Sequence, residues 1–235
     1  MSRRRRKILV TGAHGFIGRR LVARLADAPQ FPEAQIIACD VVEPTLSLPG
    51  VENVAGDLTD PGFVARIVEN SPDLVFHLAS ILGGAAEANY DLARRVNVES
   101  TLSLFEALRH RESPPRVVFS SSIAVFGPPL PERIDDRTPP FPTMVYGGHK
   151  RMMEVALEQF SARGWIDGIA IRLPGIVARA DADARLRSAF INTIFHAVAK
   201  GEDMVLPVPP EGTTWMISIP ASIEAFVHAA LIPSD

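Results

Sequence analysis

A short apolar run that breaks into a glycine-rich turn and then a helix leaves a chain few folds to choose from. Here Ile8-Leu9-Val10 leads into Thr11-Gly12-Ala13-His14-Gly15-Phe16-Ile17-Gly18, with glycines three apart at 12, 15 and 18. Residues 7–11 read as a buried strand and 16–27 as a helix. Glycine at such a junction lets the backbone turn sharply and lets an anion approach without a Cβ in the way. Free N–H groups at the helix start supply positive potential there. The pattern reads as a pyrophosphate cradle, with an ordinary tight turn as the other reading.

The alternation continues along the chain. Residues 35–40, 51–55, 73–77, 116–120 and 168–173 read as strands, while 62–69, 87–110, 145–163 and 184–200 read as helices. Asp60-Pro61 is a good helix start for the first of these. Strands that alternate with helices point to an α/β chain, a Rossmann-type doubly wound parallel sheet. Prolines 128, 129, 131, 139, 140 and 142 exclude helix interior and central strand, so this stretch is expected as an ordered loop over the carboxyl edge of the sheet. Residues 202–220 read as loop and short strands.

Composition narrows the function classes. Of 235 residues, 24 are basic and 27 acidic, giving a net charge of −3 without the basic surplus of many nucleic-acid binders, so no nucleic-acid partner is expected. The one cysteine, Cys39, cannot form an intramolecular disulfide, and no apolar run is long enough for a membrane span. A soluble, cytoplasmic protein is expected. The basic run Arg3–Lys7 precedes only three apolar residues, too few for a secretory signal, and reads as a solvated tail.

Three further features carry chemistry. Asp40 closes the second strand, where a carboxylate can accept from both hydroxyls of an adenosine ribose and repel a 2′-phosphate, which favours NAD over NADP. A strand-end turn former is the other reading. Tyr146 and Lys150 stand four apart at a helix start, so both project from one face. Ser120-Ser121-Ser122 follows the fifth strand on the same edge. A tyrosine is a poor base at its free pKa near 10, and a neighbouring ammonium favours its phenolate.

The set Gly12-x-x-Gly15-x-x-Gly18, Asp40, Gly56-Asp57-Leu58, His77-Leu78-Ala79, Asn97, Ser122 and Tyr146-x-x-x-Lys150 resembles an extended short-chain dehydrogenase/reductase, the NAD-dependent epimerase/dehydratase family. The resemblance implies that Gly12, Gly15, Phe16, Ile17 and Gly18 wrap the pyrophosphate of NAD, that Asp40 holds the ribose, and that Asp57 and Leu58 contact adenine. Leu78, Ala79 and Ser80 would line the nicotinamide ribose, and Pro174, Gly175 and Ile176 its carboxamide. Ser122 would orient the substrate oxygen and Tyr146 would be the acid/base. Lys150 would bind the ribose and lower the tyrosine pKa, with Asn97 behind them as a further member of the catalytic and cofactor set. The resemblance also implies a Rossmann domain over 1–178, a small and incomplete substrate lobe over 179–235, and a homodimer built on the helices at 87–110 and 145–163. In that pair Leu102, Leu104, Phe105 and Leu108 could serve either the dimer contact or the sheet.

Within the family, dehydratases carry acids beside the active-site hydroxyl. Here Ile123 and Ala124 follow Ser122, which disfavours dehydration. Val75–Ala79, Ala86–Asp91, Ser121–Gly127, Gly164–Gly168 and Pro207–Pro210 resemble the D-erythronate dehydrogenase subgroup, which implies oxidation of a small sugar acid at its 2-hydroxyl. Ala180-Asp181-Ala182-Asp183 departs from that subgroup's pattern. Ser80, Gly83, Asn192, Trp215 and, for the substrate carboxylate, Arg179 are the candidate substrate residues beside Ser122 and Tyr146. His14 is expected to face solvent and His149 to face away from Tyr146, neither with metal-ligand spacing, so no metal is expected. A nucleotide-sugar epimerase and a non-catalytic NAD sensor are the alternative functions.

Overall fold

The structure, a computed structural model, describes residues 5–44, 47–111, 113–177, 189–209 and 211–234. Strands β1 (Lys7–Thr11), β2 (Gln35–Asp40), β3 (Val51–Ala55), β4 (Leu74–His77), β5 (Arg116–Ser122) and β6 (Asp167–Leu173) form one sheet in the order β3-β2-β1-β4-β5-β6. All five pairings are parallel. The strand order reverses between β1 and β4, and in doubly wound sheets the ligand crevice lies at the carboxyl ends at such a point.

The inner strands β1, β2 and β4 are largely apolar because both faces of the sheet are covered there. Ile8 and Val10 of β1 point to one side and Leu9 to the other, and none of the three is exposed. On the first side they join α1 (Gly18–Ala26) and α8 (Ile219–Ala229) through Leu21, Leu25, Ile223 and Phe226. On the second they join α2 (Pro61–Glu69), α5 (Ser100–Leu108) and α6 (Val145–Ala162) through Phe63, Ile67, Leu104, Phe105 and Leu157. Asp60 caps α2 by accepting from Gly62 N at 2.9 Å, with Pro61 in the first turn, as the sequence predicts. Beyond residue 178, the expected domain boundary, α7 (Ala189–Lys200) is followed by α8, so chain on both sides of that boundary builds the first core. A small parallel pair, β7 (Gly175–Ile176) with β8 (Met216–Ile217), stands apart from the main sheet.

The single helix expected over 87–110 is instead a broken series. It consists of α3 (Gly83–Ala88), α4 (Tyr90–Arg94), a π-helical turn (Arg95–Glu99) and α5. Asn89 breaks the first junction with an extended backbone and caps α4 through its side chain, which accepts from Leu92 N at 3.0 Å. Leu104, Phe105 and Leu108 face the sheet, leaving Leu102 as the exposed member of that set. The helix expected over 184–200 is described from Ala189.

Candidate active site

The crevice is built where four strand ends come together. After β1 the chain turns at Gly12 with φ +67, and a Cβ there would lie 2.7 Å from Ala79 N in the loop that follows β4. Only glycine fits this left-handed, backbone-to-backbone approach. Gly18 is pressed onto the same turn, with Gly12 O 2.1 Å from where a Cβ would stand. At Gly15 the nearest atom is Gly12 O of its own turn, at 3.3 Å. Helix α1 has no side-chain cap and no acid in its first turn. An open glycine in front of an uncapped helix start fits a pyrophosphate, and the residues present therefore suit a dinucleotide.

Asp40 reaches back to this turn. Its Oδ2 accepts from His14 N at 2.9 Å and its Oδ1 from Val42 N at 3.2 Å. Each oxygen keeps lone-pair capacity for a ribose hydroxyl. His14 departs from expectation: its backbone is held by Asp40, and its Nε2 is buried without a partner rather than facing solvent. Asp57 is exposed and turns the chain by accepting from Thr59 N at 2.8 Å, while Leu58 beside it is buried.

The loop after β4 carries Leu78, Ala79 and Ser80 and is clamped from behind. Asn97, buried on the π-helical turn, accepts from Ile81 N at 2.7 Å and donates to Ile81 O at 2.9 Å. Both ends of the amide are used on the loop, so its place is behind Ser80. Thr11 Oγ1 also accepts from Ala79 N at 3.4 Å and is bonded to His77 Nδ1 at 2.6 Å, while His77 Nε2 meets Thr101 Oγ1 at 2.8 Å. Burial, with Lys150 nearby, drives the His77 pKa down to about 3, so this imidazole is neutral.

Ser122 ends β5 and accepts from Ala124 N at 3.1 Å. Helix α6 is brought against it by Gly147: a Cβ on that residue would stand 1.9 Å from Ala124 O. Tyr146, half-buried next to this contact, has Ser80 and Ser122 beside its hydroxyl. Burial pushes its pKa up to about 12, and the two serines pull the other way. Lys150 follows one turn later, buried, with its Nζ 4.7 Å from the centre of the Phe119 ring and 5.6 Å from that of Tyr146. Burial lowers its pKa to about 7. His149 faces away from this pair and packs on the Tyr90 ring at 5.7 Å.

One contact that the sequence does not signal completes the frame. Met144, before α6, makes no side-chain cap, and Glu87 of α3 accepts from Val145 N at 2.7 Å in its place. Local capping patterns cannot reveal a partner so far along the chain. Among the substrate candidates, Ser80 stands at Tyr146, Gly83 begins α3 near Met144, Asn192 is buried on α7, and Trp215 is exposed just before β8. Pro174, Gly175 and Ile176 follow β6, and Gly175 N bonds Trp215 O at 3.2 Å. Arg179 and the 180–183 stretch lie outside the described residues.

Comparison with known proteins agrees with this geometry. The model of the NAD dependent epimerase/dehydratase family matches residues 8–216. The chain is 34% identical to D-erythronate dehydrogenase of Haemophilus influenzae, over 97% of this chain and 73% of that one. It is 35% identical to D-erythronate dehydrogenase of Cupriavidus necator, over 94% and 71%. Among solved structures, the nucleoside-diphosphate-sugar epimerase from Agrobacterium tumefaciens superposes with a TM-score of 0.91 at 37% identity, covering 97% of this chain and 70% of that one. With its strand order, glycine turn and Ser122/Tyr146/Lys150 cluster, the chain belongs to the NAD-dependent epimerase/dehydratase family of enzymes, the extended short-chain dehydrogenases/reductases.

Proposed function

We propose that this enzyme uses NAD to oxidise the secondary hydroxyl of a small sugar acid, with D-erythronate to 2-keto-D-erythronate as the first candidate. The observation that carries the reading is the convergence of Tyr146, Ser122, Ser80 and Lys150 at the strand ends where the glycine turn stands. Bound NAD would supply the hydride acceptor for the carbinol carbon. Ser122 donates to the substrate oxygen and fixes it, and Tyr146 takes its proton. With its pKa near 12, Tyr146 is a phenol in the free site, so positive charge must be added before it acts as a base. Lys150, whose pKa burial lowers to about 7 and whose Nζ lies 5.6 Å from the centre of the Tyr146 ring, supplies that charge when protonated. Asn97 holds the Ser80 loop in register. Gly12, Gly15, Phe16, Ile17 and Gly18 bind the pyrophosphate, and Asp40 binds the ribose and selects NAD. Asp57 and Leu58 face adenine, and Leu78, Ala79, Pro174 and Ile176 flank the nicotinamide. Gly83, Asn192 and Arg179 belong to the substrate side.

The likeness to a nucleotide-sugar epimerase favours a second reading, in which the same cluster removes and returns the hydride on a nucleotide sugar. A panel of four- to six-carbon aldonic acids and UDP-sugars, each with NAD and with NADP, separates the two. Net NADH absorbance with an aldonic acid supports the dehydrogenase. Conversion of a UDP-sugar without net NADH replaces it with the epimerase. We place the enzyme in the cytoplasm as a homodimer. Exposed Leu102 on α5 with Met152 and Val155 on α6 offers the contact, and a monomer in light scattering at micromolar concentration would remove that claim.

A further inference from the structure

A second cluster of charge lies one helical turn beyond Lys150. Glu154 is buried, and three side chains grip its carboxylate: Ser121 Oγ donates to Oε1 at 2.6 Å, Arg172 donates to both oxygens at 2.9 Å, and Arg151 donates to Oε2 at 3.1 Å. Ser121 and Arg172 are directly paired in the β5–β6 register, and the next pair is Ser122 with Leu173. Glu154 shares a face of α6 with Lys150, four residues earlier. Arg172 also lies over the Phe126 ring at 5.2 Å, just past the turn that follows Ser122. Buried ion pairs return little stability relative to apolar packing, so stability alone is a poor account of this one.

We propose that Glu154 is a positioning residue of the reaction: gripped by Ser121, Arg172 and Arg151, it locks the carboxyl ends of β5 and β6 to the third turn of α6 and so sets the distance between Ser122 and the Tyr146–Lys150 pair. This rests on the reading of those three residues as the hydride-transfer machinery. The contact sits midway along α6, one turn after Lys150. At the far end the same helix meets β6 through Ser161, which accepts from Gly168 N at 3.1 Å and donates to Leu157 O at 2.8 Å.

The test compares Ser121→Ala, Ser121→Thr and Glu154→Gln with Ser161→Ala, in the full chain with NAD and the best substrate of the panel. Ser121→Ala and Glu154→Gln are expected to lower kcat about ten-fold, the scale that sub-ångström misplacement of reacting groups carries, with KM for NAD within about two-fold. The deuterium isotope effect on kcat with substrate labelled at the carbinol carbon rises in both, Ser121→Thr restores it, and Ser161→Ala leaves it unchanged. A merely structural role would not move that isotope effect. Ser121→Ala is the gentler variant and decides the matter if Glu154→Gln does not fold. Unchanged kcat and isotope effect in Ser121→Ala overturn the proposal. If the wild type turns over no panel member, the functional reading fails instead, and hydrogen exchange decides the positioning claim. Faster exchange over 116–125 in Ser121→Ala, absent in Ser161→Ala, upholds it, and unchanged exchange overturns it.

Discussion

The glycine turn and the amino end of α6 face each other across one crevice, yet they are held in place by different means. At the turn the backbone does nearly everything: a positive φ at Gly12, a helix start without a cap, and Asp40 reaching back to His14 N. At α6 each reacting side chain depends on a partner distant in sequence: Gly147 on Ala124, Val145 on Glu87, the Ser80 loop on Asn97. A binding surface made of backbone dipoles tolerates side-chain drift around it. A proton-transfer site does not, because its reacting atoms must stay within hydrogen-bond reach of each other.

The sharpest way to break that contrast is at the reacting atom. Tyr146→Phe removes the proton acceptor and is expected to cost about 10³-fold or more in turnover while NAD affinity, read by fluorescence quenching, is kept. An active Phe variant would sink the mechanism. Next come two glycines that should fail differently. Gly147→Ala drives a methyl into Ala124 O, and the shift of Tyr146 from Ser122 should lower kcat about 10²-fold with little change in KM for NAD. Gly12→Ala, strained by about 1–2 kcal/mol in the left-handed region, should act mainly through a raised KM for NAD. Equal kcat and KM patterns in the two would erase the distinction drawn above.

Smaller effects follow. Glu87→Ala leaves Val145 N without its cap, at about 1 kcal/mol of stability and a few-fold in kcat, and Glu87→Gln, still an acceptor, should restore both. The smallest concerns acid. His77 takes its proton at about 3 in the fold against 6.5 when exposed, so between those values the unfolded chain binds the extra proton. Stability is therefore lost as pH falls from 6.5 towards 3, and thermal melting of His77→Asn should depend less on pH across that window.

Sequence made one end of the crevice far more legible than the other. The β1 turn, Asp40, Ser122 and the Tyr146/Lys150 spacing are local patterns, and so were the six main strands, whose apolar runs announce a sheet covered on both faces. The break of the predicted 87–110 helix was not legible, because Asn89 and the π-helical turn answer to tertiary contacts, above all the Asn97 clamp on Ile81. Nor was the balance at the tyrosine: burial pushes its pKa up while Ser80 and Ser122 pull it down, which spacing cannot express. Glu87 and Glu154 read as ordinary helix-surface acids until their partners are seen.

The pairing of β7 with β8 has a consequence for how the chain would survive a cut. The polypeptide leaves the main sheet at Gly175–Ile176 and comes back beside its own exit at Met216–Ile217, then lays α8 against α1, where Arg24 meets Glu224 at 2.7 Å. Everything between is an insertion closed at its neck, so its loop-closure entropy is set there and grows only slowly with its length. A nick in the exposed stretch Val205–Pro209 would therefore leave two complementary fragments. The second fragment stays bound through Ile223, Phe226 and Val227, buried in the core of the first.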